Sequence, residues 1–502
     1  MNTYTYIIVV VGILLAKSLG FVRNIVFASS FGATELTDIY FQIFSIPTFI
    51  FTGVGTALAT IVIKDLNKKE NKKEEDSKKY VSKFICTISI IVIAITFLMY
   101  VFTGPIVKLL LPGMDQTFYL DACRMMYIML PSALFIVVAY IISGVLQNNK
   151  VFFITSIMSL PYNIVIIFAL FFKNVDIFTI CWITTLGWFL HIVILIPSFY
   201  KKGFRLFYKS NISINLFNKK TNLEVLYIFI SSMMLHMCFM IDKASVSYEA
   251  GAATTINYAS NFFVMIASIF VVAMSNVSFP NICKNYENKD KEKLKKTMVQ
   301  LNTILLAIVV PFIMISVIFG TDIIKLFYER DNFTSILTSE TAILFIIYTF
   351  SILGYICQEL FNKILYLGNR YKIPFLGSII VICIKPIINL YISDYGSIAV
   401  ALSTTILSAI YGVVVLIELK KITGNFFNKE LLLNFSKIFC ASTLALAGYF
   451  VVKTFQLNYP TNKFSFLIPF FVFVFIYFLV VYLNGLYKKI LQKEQEEETY
   501  ET

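Results

Sequence analysis

Nine charged side chains stand inside long apolar runs of this 502-residue chain: Lys17, Arg23, Asp38, Arg124, Asp242, Lys243, Glu359, Lys363 and Lys385. A charge in hydrocarbon costs several kcal/mol, so such groups face a cavity, a partner or the interface. Lys17, Arg23, Arg124, Lys363 and Lys385 against Asp38, Asp242 and Glu359 leave an excess of cations, which suits an anionic substrate. Lys17 is too deep in its run to snorkel. Lys17 and Arg23 lie ~120° apart on a helix and share one broad face. Arg124 and Lys243 have a second reading, because long side chains can reach the outer headgroups. Glu359 and Lys363, four residues apart, read first as an intrahelical ion pair.

Asp242 and Lys385 lack an opposite charge three or four positions away in their own runs. A lone buried charge neutralises or finds a partner. Counting 1.5 Å per residue places them ~27 and ~20 Å from the cytoplasmic ends of their helices, and a lysine stem spans much of that gap. The two are expected to form a coupling pair. Glu359 and Lys363 are candidates for coupling or gating as well.

Other chemistries have little support. Eight scattered cysteines contain no CxxC pair and read as small buried apolar groups. His191 and His236 are the whole histidine complement, so no metal centre is expected. GxxxxGK[ST], GxSxG and HExxH patterns are absent, which argues against a nucleotide hydrolase, an α/β-hydrolase and a metalloprotease. An intramembrane transferase survives as an enzymatic reading, with few acids and histidines to work with. No cofactor is expected beyond coupling to a monovalent cation or the membrane potential.

The elements that hold these residues follow from composition. Hydrophobic residues make up 58% of the chain, charged ones 14%, with 50 Phe and 29 Tyr. Soluble domains carry about 25% charged and roughly 45–50% apolar residues. This is a polytopic membrane protein. The apolar runs are continuous rather than alternating, so the spans are helices and the fold class is all-α. A helix needs about 20 apolar residues to cross. Fourteen runs qualify, near 3–29, 37–63, 80–103, 118–146, 150–172, 177–199, 221–246, 252–280, 298–320, 336–366, 371–392, 395–418, 430–453 and 463–487. Lys17 and Arg23 interrupt the first run, so it is not a cleaved signal peptide. Pro47, Gly53 and Gly55 in the second mark a kinked, mobile element.

With the N-terminus in the cytoplasm, inner loops hold 29 basic residues and outer loops seven. That asymmetry fixes both termini in the cytoplasm. Most of the +13 net charge is therefore topology and contact with anionic lipid, with no nucleic-acid partner implied. The halves also repeat at an offset near 220. Gly32-Ala33 and Tyr40 return as Gly251-Ala252 and Tyr258, Ile106-Val107-Lys108-Leu109 as Ile323-Ile324-Lys325-Leu326. Leu146, Asn148 and Lys150 match Leu367, Asn369 and Lys372, and Pro161 matches Pro386. Six spans between repeats make them parallel, a transporter architecture. The expected division is a six-helix lobe over 1–220, a second over 221–425, and two helices with a cytoplasmic tail over 426–502.

The segment AKSLGFVRNIVFASSFGATELTDIYFQIFSIP resembles the opening of the MurJ/MviN family, lipid II flippases of the multidrug/oligosaccharidyl-lipid/polysaccharide exporter superfamily. GPIVKLLLPGMD, ACRMMYIMLP, GVLQNNKVFFITSIMSLPYN, MIDKASVSYEAGAATTINYAS, NVSFPNI and FNKILYLGNRYKIP extend the likeness. The resemblance implies a flippase for an undecaprenyl-diphosphate-linked saccharide, lipid II first, in the bacterial plasma membrane beside the cell-wall synthesis machinery. It implies that Lys17, Arg23 and Asp38 line a cationic cavity for the diphosphate and that Asp242 serves cation coupling. Lys385 would then bring its ammonium to that cation's place. Arg124, from its charge alone, is a further substrate-binding candidate. Two arginines of the family pattern are missing, replaced by Phe51 or its neighbours and by Asn261. Another lipid-linked glycan, or ion-coupled export of drugs, remains an alternative cargo.

Overall fold

The structure, a computed structural model, describes residues 3–68, 74–172, 175–207, 219–456 and 464–486. Among them every regular element is a helix. The first is α1 (Thr3–Phe31), followed by α2 (Glu35–Ser45), α3 (Thr52–Lys68), α4 (Glu74–Val101), α5 (Thr103–Leu110), α6 (Tyr119–Met129) and α7 (Ser132–Asn148). Next come α8 (Phe153–Ser156), α9 (Leu160–Leu170), α10 (Ile177–Lys201), α11 (Lys219–Ser245), α12 (Ala252–Glu287) and α13 (Lys291–Tyr328). The chain continues as α14 (Ser335–Thr349), α15 (Ile352–Ile356), α16 (Asn362–Leu367), α17 (Lys372–Ile392), α18 (Gly396–Thr423), α19 (Lys429–Gln456) and α20 (Leu467–Leu483).

Nine helices among the described residues are long and apolar enough to cross a membrane, and ten when the bent pair α14 and α15–α16, 54° apart, is one span. The expected runs 371–392 and 395–418 join through one 3-10 turn and count once among the nine. Leu160–Leu170 and Leu467–Leu483 are apolar but short, and the first run holds the 29-residue α1, which is not among the nine.

Two compact units form. One comprises Met1–Tyr258 with Arg330–Thr334 and Ser378–Thr404. Its central helix is α7, which is apolar all round. Ala133, Ile136, Val137, Ala139, Ile141 and Ile142 have no exposed surface, as a core helix requires. α7 packs on α3, α4 and α10. A Cβ at Gly144 would lie 2.7 Å from Ala59 of α3, the close small-residue contact that drives helix association where water supplies no hydrophobic force. α4 turns Ile90, Phe97, Leu98 and Val101 outward, a surface only lipid can cover.

The second unit comprises Ala259–Glu329, Ser335–Gly377 and Thr405–Thr502. Here α13, α19 and α20 close on Phe319, whose ring lies 5.1 Å from Tyr449 and 5.5 Å from Phe470, both edge-on. Edge-to-face aromatic pairs add about 0.5–1.5 kcal/mol beyond burial.

The repeat reaches the backbone. Gly32 (φ +63°) and Gly251 (φ +87°) hold the left-handed conformation just before α2 and α12. Lys150 (φ +60°) and Asn369 (φ +55°) share it just after α7 and α16. Each pair is separated by the same 219 positions. An L-residue at Gly251 would be strained by that φ and would place its Cβ 3.0 Å from the Ala33 carbonyl.

The second span changes its winding partway. Thr34 caps α2 by accepting the Thr37 amide, and Pro47, which has no amide hydrogen, follows one residue after its end. The ladder adjusts: Ile46 donates to Ile43, and Ile46–Phe51 winds as a π turn before α3 begins. Pro47 thus stands in a π turn within a span, Glu35–Ile63, that runs as one membrane-length helix, not at the kink expected of this run.

Candidate functional site

α1 presents Lys17 and Arg23, both partly buried. The Arg23 guanidinium lies 5.1 Å from the Tyr162 ring centroid, and its Nη2 donates to Asn24 Oδ1 at 2.8 Å. Among the described residues it forms no ion pair. α9 positions Tyr162 because it lies close along α1: Asn163 Nδ2 donates to the Ala16 carbonyl at 3.4 Å, beside Gly20. A cation on an aromatic face with no acid beside it can meet an anion.

Asp38 is already engaged. Its Oδ2 accepts the Gly251 amide at 2.6 Å and its Oδ1 the Thr254 amide at 2.6 Å, and Thr37 and Thr254 bond through their hydroxyls at 3.0 Å. The carboxylate caps the N-terminus of α12, where the helix dipole favours a negative charge. Arg124 is exposed on α6 and stacks 4.4 Å from the Phe178 ring centroid. It contacts neither Arg23 nor Asp38. Phe51 is buried at the end of the π turn, and Asn261 is half-buried in α12. Neither can supply a charge.

Asp242 and Lys385 come together, with no exposed side-chain surface on either. α11 carries the acid, α17 the amine and Asn389, and α18 supplies Val400, Ser403 and Thr404. Lys385 Nζ lies 2.5 Å from Asp242 Oδ1 and donates to Val400 O at 2.9 Å, Asn389 Oδ1 at 3.0 Å and Ser403 Oγ. Thr404 Oγ1 donates to Asp242 Oδ2 at 2.5 Å, and Asn389 Nδ2 to Ser245 Oγ at 2.9 Å. An ammonium surrounded by four oxygens, one of them charged, is what makes such deep burial tolerable. Sequence reasoning missed Asn389, Ser403 and Thr404. Their signal was present: Asn389 stands four residues after Lys385, and the Ser-Thr pair interrupts an apolar run.

Lys243 does not snorkel. It is 1% exposed and donates to Phe41 O at 3.2 Å and to Ser45 Oγ.

In the second unit Glu359 and Lys363 do not form the expected intrahelical pair. Cys357–Phe361 is π-helical, which shifts the register between them. Lys363 Nζ donates instead to Ser275 Oγ at 3.1 Å. Nearby in sequence, Glu418 of α18 gathers Arg370 and Lys421, the latter at 2.7 Å. A cavity of about 480 Å³ opens beside the start of α19, lined by Leu306, Phe427, Asn428, Lys429, Leu431, Leu432 and Phe435. Its wall is mainly apolar with one ammonium.

Comparison with known proteins places this geometry. A family model described as lipid II flippase MurJ matches residues 27–495. A relative from Buchnera aphidicola named probable lipid II flippase MurJ is 25% identical over 409 residues, covering 78% of this chain and 79% of the relative. The lipid II flippase MurJ of Thermosipho africanus is 25% identical over 483 residues, 95% of each chain. A solved lipid II flippase MurJ in an inward closed conformation superposes with a TM-score of 0.80 at 24% identity, over 97% of this chain and 100% of that one. An inward-facing multidrug resistance MATE family transporter superposes with a TM-score of 0.61 at 12% identity, over 82% and 96%. These two likenesses show the fold alone. The family match is of another kind: it begins within α1, runs almost to the end of the chain and takes in every helix from α2 to α20, so the chain belongs to the lipid II flippase MurJ family.

Proposed function

We propose that this chain carries lipid II, as an undecaprenyl-diphosphate-linked saccharide, from the inner to the outer leaflet of a bacterial plasma membrane by alternating access. The observation that carries the reading is Arg23, a partly buried guanidinium in an apolar helix, resting on Tyr162 and Asn24 without an acid. Its fork matches two phosphate oxygens, while Lys17 on the same helix adds a point charge. Asp38 keeps α12 in place rather than touching the anion. Arg124 meets anionic groups approaching at the membrane surface.

Asp242 and Lys385 form the coupling element in this reading, and Glu359 with Lys363 a gate. The ammonium sits among oxygens as a free monovalent cation would. The drive is then a cation gradient or the membrane potential acting on that pair, with no cofactor. The lobes over 1–220 and 221–425 move about the substrate path, both termini face the cytoplasm, and the appended helices offer the apolar cavity by α19 to the lipid tail. Cell-wall synthesis enzymes supply and consume the cargo.

Depletion of the protein, followed by mass spectrometry of lipid-linked intermediates, tests this. Lipid II is expected to accumulate. Accumulation of another lipid-linked glycan would replace the cargo, and unchanged lipid pools with lost drug efflux would favour a multidrug exporter.

A further inference from the structure

Lys243 is a charge that the proposed transport site does not use. It is 1% exposed, and among the described residues no carboxylate lies within ion-pair distance of it, Asp38 acting on it only from farther away. Its acceptors are neutral: the Phe41 carbonyl at 3.2 Å and the Ser45 hydroxyl, with the Phe49 ring centroid 5.7 Å away. Ser45 in turn donates to Phe41 O at 2.7 Å. A buried ammonium held only by neutral oxygens remains costly, and a shorter neutral donor would satisfy the same acceptors.

Its position gives the cost a purpose. Phe41 and Ser45 form the last α-helical turn of α2, immediately before the π turn Ile46–Phe51. Gln42, in that same turn, donates to the Met240 carbonyl of α11 at 3.1 Å and to the Leu110 carbonyl at 2.9 Å. The last turn of α11 is therefore fastened to α2 through Met240 and Lys243. The residue between them in that turn, Asp242, is fastened to Lys385 and Thr404 on α17 and α18. Adjacent helical residues point ~100° apart, so Asp242 and Lys243 reach different neighbours from one rigid turn. All of these contacts lie within one compact unit.

We propose that Lys243 is a positioning residue that ties the π turn after α2 to the Asp242–Lys385 pair, so that the winding of that turn and the state of the pair change together. The proposal rests on the coupling role given to that pair above. A movement of Asp242 away from Lys385 rotates the end of α11, drags the ammonium against Phe41 and Ser45, and rewinds the π turn at Pro47. Without the ammonium the Gln42–Met240 contact still joins the two helices, and α2 follows the pair less closely.

The test is amide hydrogen exchange on the full chain in lipid nanodiscs, comparing wild type, Asp242→Asn, Lys243→Met and the double variant. In the wild-type background Asp242→Asn is expected to speed exchange across 46–52 by about tenfold, beside its effect on 400–404. In the Lys243→Met background the effect on 400–404 remains and the effect on 46–52 falls at least ~3-fold, the Gln42–Met240 contact carrying the remainder. Ser45→Ala, which removes one acceptor and keeps the charge, is expected to reproduce most of that uncoupling and serves where Lys243→Met does not fold. Equal acceleration of 46–52 with and without Lys243, or none in either background, overturns the proposal. Lipid II movement in vesicles is read separately: a wild-type chain that moves none refutes the cargo, whereas the exchange cycle needs no substrate.

Discussion

Asp242 Oδ1 and Lys385 Nζ meet at 2.5 Å, with no exposed surface on either side chain. The pair joins the last turn of α11 to the middle of α17, and Asn389, Ser403 and Thr404 complete its hydrogen bonding. Removing one partner of a buried pair leaves an uncompensated charge, which costs about 3–5 kcal/mol, whereas removing both can be nearly neutral. Charge is therefore the variable to manipulate.

A double-mutant cycle on lipid II transport is the direct measurement. Asp242→Asn and Lys385→Met are each expected to lower transport by two orders of magnitude or more, and the double variant to recover part of that loss, on the scale of ~1–3 kcal/mol of coupling. Lys385→Met also leaves a carboxylate, a backbone carbonyl, an amide oxygen and a hydroxyl facing a vacated cation position, so sodium dependence is expected to emerge. Additive losses with no new sodium effect would show that the two residues act separately.

Arg23→Ala and Lys17→Ala are expected to abolish transport while leaving insertion and thermal stability close to wild type. Arg23 loses one ring contact and two local hydrogen bonds to Asn24 Oδ1, worth about 1 kcal/mol each in stability. Arg23→Lys keeps the charge and loses the fork, so it should retain a fraction of the activity. Full transport by Arg23→Ala at equal expression would remove the proposed anion site.

The membrane class, the all-helical fold and most span positions were legible because hydrocarbon imposes one simple rule on the chain, continuous apolarity over a span. Pro47 likewise announced the change of winding after α2. What stayed hidden depends on direction rather than on type. Nothing in the spacing says that Asp38 points at the amides of Gly251 and Thr254, since the contact joins residues 213 and 216 positions apart. The π turn at Cys357–Phe361 defeated the four-residue rule for Glu359 and Lys363, because that rule assumes an unbroken α-helix. Lys243 was ambiguous for a similar reason: a lysine near a helix end can reach out to headgroups or in to carbonyls, and only packing decides.

Orientation follows from the basic loops and is checked by cysteine-accessibility labelling. Lys291, at the start of α13, should label from the cytoplasm. Gly113 and Asp331 should label from outside. Lys73, Lys209 and Asn458, which would extend the test, lie outside the described residues. The exposed Asp331 site is a demanding case, because its carboxylate accepts from Ser29 at the end of α1. Labelling of Asp331 and Lys291 from the same side would break the assignment of α13 as a single crossing.

The last prediction separates two roles for Asp38. As a cap, its two oxygens each accept one amide of α12, from Gly251 and Thr254, both at 2.6 Å. Asparagine can keep one of these bonds but must turn an NH₂ toward the other amide. Asp38→Asn should therefore weaken the start of α12 nearly as much as Asp38→Ala, by about 1–2 kcal/mol, the usual cost of losing an N-cap. Amide exchange at 251–255 reads this directly, with acceleration of about tenfold expected for each variant. Thr37→Val, which removes the hydroxyl bond to Thr254 together with the Thr34 capping bonds of α2 but leaves both Asp38 oxygens on the α12 amides, should have a smaller effect on the same amides. A residue that instead touched the anionic cargo would change apparent affinity for lipid II and leave those amides protected. Unaltered exchange at Gly251 and Thr254 in Asp38→Asn, together with altered lipid II affinity, would move Asp38 from the cap to the substrate.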